Sequence, residues 1–279
     1  MKKTILLILS LVSFCWAFAQ YESAGMPLKF SQQTGIQRRS TANFFVDINA
    51  DTTKISLETS RRTFVSGVTA EVDVNVNDGQ TFFENGLKVS RVGLCSEKAK
   101  GISLFFDRFH LPEGAKLFVY NPAQTIVYGA FTSENNNKTK SLLVRPLYAD
   151  SIVVEYQEPL DVSFRADLHI SLATHELRKV HDFMSSNSCT ALVTDREGTE
   201  TYKQAVCLQF TVTSGSAWWS SGALINNPEH KPYVYTAGHN IVEAEWATRT
   251  IFYFNYEVPA QDETFQPTNQ LTISGSTLL

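Results

Sequence analysis

Residues 72–79 read Val-Asp-Val-Asn-Val-Asn-Asp-Gly, and this stretch decides the fold class. Valines alternate with polar residues at a period of two, as in a half-buried β-strand, and Asn-Asp-Gly is typical of a tight turn. Similar short apolar runs follow, separated by turn-forming residues such as Asn85-Gly86 and Pro112-Glu113-Gly114. Many short strands without helical periodicity predict a mainly β chain, with an antiparallel β-sandwich over residues 60–160.

Two series of strands are predicted. The upstream series covers residues 72–76, 87–94, 102–109, 116–120, 126–131, 141–144 and 151–156. A strand-like stretch at 168–172 leads into charged residues 174–184, which could form either a short helix or a linker. The downstream series covers residues 205–213, 222–225, 233–236, 250–256 and 271–274, and is again all β.

The composition is that of a globular protein. The chain has 279 residues, of which 43% are hydrophobic and 19% charged, and its formal net charge is −4. These values exclude the disordered and fibrous classes. Basic residues are scattered rather than clustered, so no nucleic-acid partner is expected. The length favours two domains over one.

The first nineteen residues have the features of a secretory signal peptide. Lys2-Lys3 precede an apolar run that is too short to span a bilayer comfortably, and Ala17-Phe18-Ala19 has the small-x-small cleavage pattern. A lipoprotein anchor at Cys15 is disfavoured, because that chemistry requires a small residue where Phe14 stands. We therefore expect a secreted or periplasmic protein with a signal peptide from Met1 to Ala19 and no membrane association after its cleavage.

The sequence predicts five segments and leaves the cysteine pairing open. They are a signal peptide at 1–19, a lead-in at 20–59, a β-sandwich at 60–160, a linker at 161–188 and a second β domain at 189–279. Three cysteines remain after the signal peptide, at Cys95, Cys189 and Cys207. An odd number in an oxidising compartment leaves at least one thiol free or without its partner in this chain.

Several catalytic classes are excluded by their motifs. A zinc-protease helix needs two histidines four residues apart around a glutamate; His175-Glu176 is the only candidate start, and Lys179 occupies the second ligand position. His181 lies six residues from His175, on the wrong face of a helix for a shared zinc. The chain has no C-x-x-C pair, glycine-rich phosphate loop or G-x-S-x-G elbow. We expect neither a metal nor a cofactor.

One histidine stands in a more informative context. Residues 221–227 read Ser-Gly-Ala-Leu-Ile-Asn-Asn, and residues 233–240 read Tyr-Val-Tyr-Thr-Ala-Gly-His-Asn. A strand that ends in Thr-Ala and is followed by His239 places an imidazole at an exposed sheet edge, where it can take a proton from a hydroxyl. The alternative is that His239, like most lone histidines, is structural.

These residues resemble the trypsin-like serine endopeptidases, in which a Gly-x-Leu-Ile strand, a hairpin and Thr-Ala-x-His carry the catalytic base. The resemblance is sharper to the secreted lysyl endopeptidase-like branch. It extends to Cys189, Glu197-Gly198, Ala205-Val206, Asn226-Asn227 and Asn255-Tyr256, and upstream to residues 111–120, Glu155-Tyr156 and Pro159, which look like the β-rich pro-region of such enzymes. It implies an incomplete trypsin-like β-barrel over residues 189–279, with His239 as general base and a protein or peptide cut after basic residues as substrate.

The departures from the family pattern are informative as well. The family usually has a disulfide where this chain has Ser220 and Asn240, and Asp195 replaces another family cysteine. Cys189 keeps its family position, and the resemblance implies a disulfide partner for it outside this chain. No Gly-Asp-Ser-Gly nucleophile motif follows His239, and neither Asp195 nor Asp262 matches the family aspartate. We expect the N-terminal part of a larger endopeptidase, inactive alone because triad members act as a unit.

Two further hypotheses concern processing and an alternative function. Arg178-Lys179 precede the mature start that the resemblance implies and form a candidate processing site between 178 and 188, although an ordinary charged helix face is an equal alternative. The alternative function is a secreted, non-catalytic β-rich binding protein or a pseudoprotease. Its contact surface would include Trp218, Trp219 and Trp246.

Overall fold

The structure is a computed structural model that describes residues 25–29, 44–55, 64–180, 197–257 and 271–279. Within these ranges the chain forms two β-sheets whose strands are mostly antiparallel, which confirms the mainly β class. The described strands do not close into a barrel.

The first sheet is the outer layer of the sandwich. Its described strands are β1 (Phe45–Asp47), β3 (Gln80–Glu84), β4 (Leu87–Cys95), β6 (Lys116–Tyr120), β7 (Val127–Phe131) and β9 (Ser151–Pro159). They are ordered β1-β4-β9-β6-β7, with β3 also paired to β4, and β1 runs parallel to β4.

The second sheet joins strands from both ends of the sequence. Its described strands are β2 (Phe64–Asn75), β5 (Ile102–His110), β8 (Leu142–Leu147), β10 (Asp167–Glu176), β11 (Val206–Val212), β12 (Ser216–Ile225), β13 (Tyr233–Thr236), β14 (Thr250–Phe254) and β15 (Leu271–Ser274). Their order is β15-β14-β11-β12-β2-β10-β5-β8, and β13 also pairs with β12. Ladder contacts between β2 and β12 therefore join the upstream and downstream series.

Among the residues that the structure describes, helical structure is confined to short pieces. The described helices are α1 (Glu200–Lys203) and α2 (Ala244–Thr248), together with 3-10 turns at Thr52–Lys54, Val76–Asp78 and Ser133–Asn135. The predicted Asn-Asp-Gly turn is the second of these turns, and the Asn75 side chain accepts a hydrogen bond from the N–H of Asn77 at 3.0 Å.

The main core fills the space between the two sheets. Successive side chains of β2, β5, β8 and β10 point to opposite faces of the sheet. Leu104 and Phe106 therefore pack into this core, while Phe105 faces away from it. Apolar residues of the first sheet, such as Leu94 and Val154, close it from the other side. The alternating valines that begin at Val72 thus lie at the end of β2, a strand of a two-layer sandwich, and continue into the 3-10 turn at Val76.

A second core lies on the opposite face of β5, β8 and β10. Phe105, Leu143 and Leu172 point into it from the upstream series. The downstream strands contribute Phe210, Val212, Ala217, Trp219, Ile251 and Tyr253. Upstream strands β5, β8 and β10 are therefore buried on both faces, and the downstream strands cover the second face.

A buried ionic network ties the first sheet together. Glu155 has no exposed surface, and its carboxylate accepts hydrogen bonds from Arg91 Nε and Tyr120 OH, both at 2.7 Å, and from Gln157 Nε2 at 2.7 Å. It also accepts from the backbone N–H of Leu28 at 2.9 Å. Four donors therefore compensate the burial of this charge.

Part of the predicted linker is strand. Residues 167–176 form β10, which lies between β2 and β5, so the strand extends four residues beyond the predicted 168–172 and occupies part of 161–188. The polar side chains of Thr174, His175 and Glu176, which suggested a linker or a helix, are buried in the sheet instead. Residues 181–188 lie outside the described residues, and the domain boundaries at 160 and 189 stay predictions.

Predictions about the N-terminus also fall outside the structure. Residues 1–24 are not among those described, so the signal peptide at 1–19, and with it the secretion of the protein, stays a prediction. In the parts of the chain that are described, no helix has the length and apolar character needed to cross a membrane.

Candidate functional site

The candidate site is the turn that follows β13. This strand pairs with the end of β12, from Gly222 opposite Thr236 to Ile225 opposite Tyr233. The chain then turns, and the N–H of Asn240 donates to the carbonyl of Ala237 at 2.9 Å. His239 is exposed on this turn, whereas Asn240 beside it is buried. The position at a sheet edge is the predicted one, and the catalytic role of His239 stays a prediction.

A chain of side-chain hydrogen bonds holds this turn. Asn240 Nδ2 donates to Thr236 Oγ1 at 2.8 Å, and Thr236 Oγ1 lies 3.0 Å from Gln209 Oε1 and 2.8 Å from the Ser221 carbonyl. Ser220 Oγ donates to Gln209 Oε1 at 2.9 Å. The two positions at which the resembled family has a disulfide, Ser220 and Asn240, are therefore linked through polar side chains.

Gln209 is the residue that sequence reasoning missed. It has no exposed surface, and its amide oxygen joins Ser220 to Thr236. The backbone of Gly222 makes this possible, because a Cβ there would collide with Gln209 Nε2 and come within 2.9 Å of Val234 Cγ1. A polar residue in the middle of the apolar run Val-Cys-Leu-Gln-Phe-Thr-Val was the available signal.

An apolar cavity of about 760 Å³ lies beside the turn. The turn itself contributes Thr236, Ala237 and Gly238 to the cavity wall. Apolar side chains of the downstream region line much of the rest, among them Val234, Ile241, Phe252, Phe254 and Ile273. The site thus combines an exposed imidazole with an apolar cavity, and this combination suits a substrate-binding cleft.

The imidazole of His239 has no orienting partner among the residues that the structure describes. Neither a hydrogen bond nor an ion pair to its ring occurs there. Asp195 and Asp262, the two aspartates weighed in the sequence, lie outside those residues. A general base needs a third group to fix its tautomer, so the described geometry alone gives only the base.

The described cysteines are poor nucleophiles. Burial, the hydrogen bond from Sγ to Asp47 Oδ1 at 2.8 Å and the Asp47 charge raise the pKa of Cys95 to about 11. Burial also raises the pKa of Cys207 to about 11. Both thiols therefore remain protonated at neutral pH. Neither forms a disulfide within the described residues, and Cys189 lies outside them.

The candidate processing residues lie directly after β10. The backbone N–H of Arg178 donates to the Ser66 carbonyl at 3.2 Å, and Lys179 Nζ lies 5.5 Å from the centre of the Tyr148 ring. Val180 is buried in the second core. The basic pair is therefore anchored to the sheet rather than displayed on a helix face.

The other residues that the sequence pointed to, a histidine and the tryptophans, pack against neighbouring side chains. His175 is buried, and its Nδ1 lies 2.8 Å from Ser96 Oγ. Trp218 and Trp219 are buried, with Trp246 packed edge-on against Trp218 at 5.2 Å, so the proposed tryptophan contact surface is wrong for the adjacent pair. Within the described ranges, no group of three or more histidine, cysteine, aspartate or glutamate side chains could hold a metal.

The exposure of His239 suits acid–base chemistry. An antiparallel hairpin that ends in an exposed histidine beside an apolar cavity is an arrangement in which a β-rich hydrolase can hold a general base.

Comparison with known proteins finds a family match for the downstream part of the chain. Residues 183–279, which are 97 of the 279 residues, match the family described as lysyl endopeptidase, C-terminal domain. This match supports a lysyl endopeptidase-like protease family for that part of the chain. No curated protein matches the chain, and no solved structure does.

Proposed function

We propose that the chain is part of a secreted serine endopeptidase that cuts peptides after basic residues, with His239 as its general base. The observation that carries this proposal is the position of His239 on an exposed turn beside an apolar cavity, within the residues that match the lysyl endopeptidase family. The imidazole would take the proton of a serine hydroxyl during attack and return it to the leaving amine.

The serine, the aspartate and the pocket that selects a lysine would come from protein sequence outside residues 1–279. The support for this is the lack of a Gly-Asp-Ser-Gly motif after His239 and the raised pKa values of Cys95 and Cys207, which disfavour a cysteine as a substitute nucleophile. A base without nucleophile and oxyanion hole contributes little to the rate, so residues 1–279 alone would be inactive.

Secretion and processing complete the proposal. Export would depend on the signal peptide Met1–Ala19, and residues 60–160 would form the pro-region. Cleavage between 178 and 188 would break the covalent link between the pro-region and the downstream part. Cutting at Arg178-Lys179 itself requires that the hydrogen bond from Arg178 to Ser66 and the burial of Val180 be given up, so a cut after Val180 disrupts less of the sheet.

The proposal is tested by peptidase assays on two purified proteins. One is the chain of 279 residues, and the other is the same chain extended by the sequence that its gene encodes next. Reporter peptides carry lysine, arginine or, as a control, glutamate before the scissile bond. We expect hydrolysis of the basic reporters by the extended protein only.

Two histidine variants make the test specific. His239→Ala in the extended protein should lower kcat by about 10⁶-fold, as loss of the base does in a complete triad. His230→Ala, which removes another exposed histidine of the downstream region, should leave kcat unchanged. Equal activity of the His239→Ala variant, or an extended protein that hydrolyses none of the reporters, would overturn the proposal.

A further inference from the structure

The upstream strands present two apolar faces, and one of them is covered by the downstream strands. Leu104 and Phe106 of β5 face the first sheet, whereas Phe105 between them packs in the second core with Phe210 and Trp219. Phe105 is 4% exposed, and the downstream strands supply six of the buried residues of the core that contains it. Without them, the sandwich would expose an apolar face, which is unusual for a free soluble domain.

The same two groups of strands share a backbone ladder. In β12, Ala217 pairs with Gly67 and Trp218 with Val65 of β2. The N–H of Thr69 adds a hydrogen bond to the Gly215 carbonyl at 3.3 Å. An added strand of this kind supplies main-chain hydrogen bonds at a sheet edge, as in peptide recognition by β-augmentation.

Contacts also join β15 and β8, the strands at the two ends of the second sheet. Ser274 Oγ, in β15, accepts a hydrogen bond from the Leu143 N–H in β8 at 2.9 Å. The guanidinium of Arg249 lies 4.9 Å from the centre of the Phe105 ring. The downstream strands therefore hold the upstream series at β2, at β8 and across the second core.

We propose that the strands before residue 180 and those after residue 197 form a non-covalent complex that persists when the chain between them is cut. Each part is the partner of the other: β2 is the strand added to the edge of β12, and Phe105, Leu143 and Leu172 fill the apolar face of β11, β12 and β14. Covalent continuity through residues 181–196 is not needed for these contacts.

The complex also places the upstream part next to the candidate site. β2 and β13 pair with the same edge of β12, Phe64 opposite Trp219 and Thr236 opposite Gly222. Trp219 and Gly222 are three positions apart in β12, a rise of roughly 10 Å. After a cut, the retained upstream part remains beside the turn of His239. This position does not depend on the proposed peptidase function.

The test uses the full chain with a recognition sequence for a site-specific protease inserted between Ser186 and Asn187. The folded protein is cut to completion and applied at micromolar concentration to a size-exclusion column in native buffer. We expect both pieces to elute together at the volume of the uncut protein and to separate in urea. Elution as two separate species in native buffer would overturn the proposal.

A matched pair of proline variants tests the ladder. The Ser66 carbonyl accepts from the N–H groups of Leu177 and Arg178, so the backbone of its neighbour Val65 faces β12. Val65→Pro removes a donor toward β12 and should weaken the association of the cut pieces at least tenfold. Val46→Pro, in the edge strand β1, should not weaken it.

The proline result is interpreted only if the uncut Val65→Pro protein keeps its circular dichroism spectrum. If it does not fold, Trp219→Phe replaces it, because this change reduces the second core without altering the ladder, and a weaker association is again expected. Unchanged association in the folded Val65→Pro variant would show that β2 does not contribute to the complex.

Discussion

The sandwich strands and the strands around His239 differ in how completely they are buried. In β5, residues Ile102 to Phe106 are all buried, between two cores. In β13, by contrast, no residue is buried, and Tyr235 is 71% exposed. Stability therefore resides in the upstream sandwich, and the candidate site is a peripheral hairpin fixed by a few side-chain hydrogen bonds. A rigid scaffold that carries a site on an exposed turn is a common arrangement in enzymes.

A phenylalanine-to-alanine substitution in each of the two regions should give the largest difference in unfolding free energy. Phe106→Ala in the main core should lower the free energy of unfolding by about 3–5 kcal/mol, because it leaves a cavity with no room to collapse. Phe254→Ala, beside the existing apolar cavity, should cost at least about 1 kcal/mol less. Urea unfolding followed by circular dichroism measures both, and equal losses would contradict the contrast.

The buried ionic network should show the next largest effect. Arg91→Met leaves the Glu155 carboxylate buried with its closest cationic partner removed, and should cost about 3 kcal/mol. Arg108→Met is the control, since the Arg108–Asp167 pair is largely exposed and should contribute less than about 1 kcal/mol. Similar losses in the two variants would show that the buried network is not a stabilising feature of the first sheet.

Glu176, at the polar end of β10, should make the stability of the folded protein depend on pH. Burial raises the pKa of Glu176 to about 7, although Thr174 and Ser66 hydroxyls offset part of this effect. The folded state thus holds a proton that the unfolded state releases near pH 4.5, so stability should fall as the pH rises from about 4.5 to 7.

The variant Glu176→Gln lacks the titrating carboxyl, so its comparison with the wild-type protein measures the contribution of Glu176 to the pH dependence of stability. The difference in unfolding free energy between pH 5 and pH 8 should be up to about 3 kcal/mol larger in the wild-type protein than in the variant. Other groups, such as His175 and His169, titrate in both proteins and cancel in this comparison. An identical pH profile for the two proteins would rule out a buried, protonated Glu176.

The smallest expected effect concerns the turn of His239. Thr236→Val keeps the shape of the side chain but removes the hydroxyl that joins Asn240 to Gln209. The loss of unfolding free energy should be about 1 kcal/mol. Amide hydrogen exchange should quicken at residues 237–240 and remain unchanged in β5. Altered exchange in β5 would show that the turn is not a local unit.

Much of the fold could be predicted because alternation and turn residues are local signals. The strands at 116–120, 233–236 and 271–274 were predicted with their observed bounds. The first half of β12 was missed, because Ser-Ala-Trp-Trp-Ser-Ser lacks a clear period of two. The pairing of β2 with β12 was also missed, since no local pattern encodes a contact between residues 150 positions apart.

The candidate site was predictable to a smaller extent. The exposed turn with His239 follows from the strand ending in Thr-Ala and the resemblance it supports. Gln209 was not predicted, because its partners Ser220 and Thr236 lie 11 and 27 residues away. The burial of Trp218 and Trp219 was not predicted either, since their cover includes the upstream strand β2.

The most direct test of the central claim, that the strands around His239 are stabilised by the upstream sandwich, is equilibrium urea unfolding with two probes. In protein prepared without residues 1–19, the tryptophans are Trp218, Trp219 and Trp246, so tryptophan fluorescence reports on the downstream strands, while circular dichroism reports on both regions. A single transition with the same midpoint for both probes is the predicted result. A fluorescence transition at lower urea than the main circular dichroism transition would show that the downstream strands unfold independently, and would contradict the account.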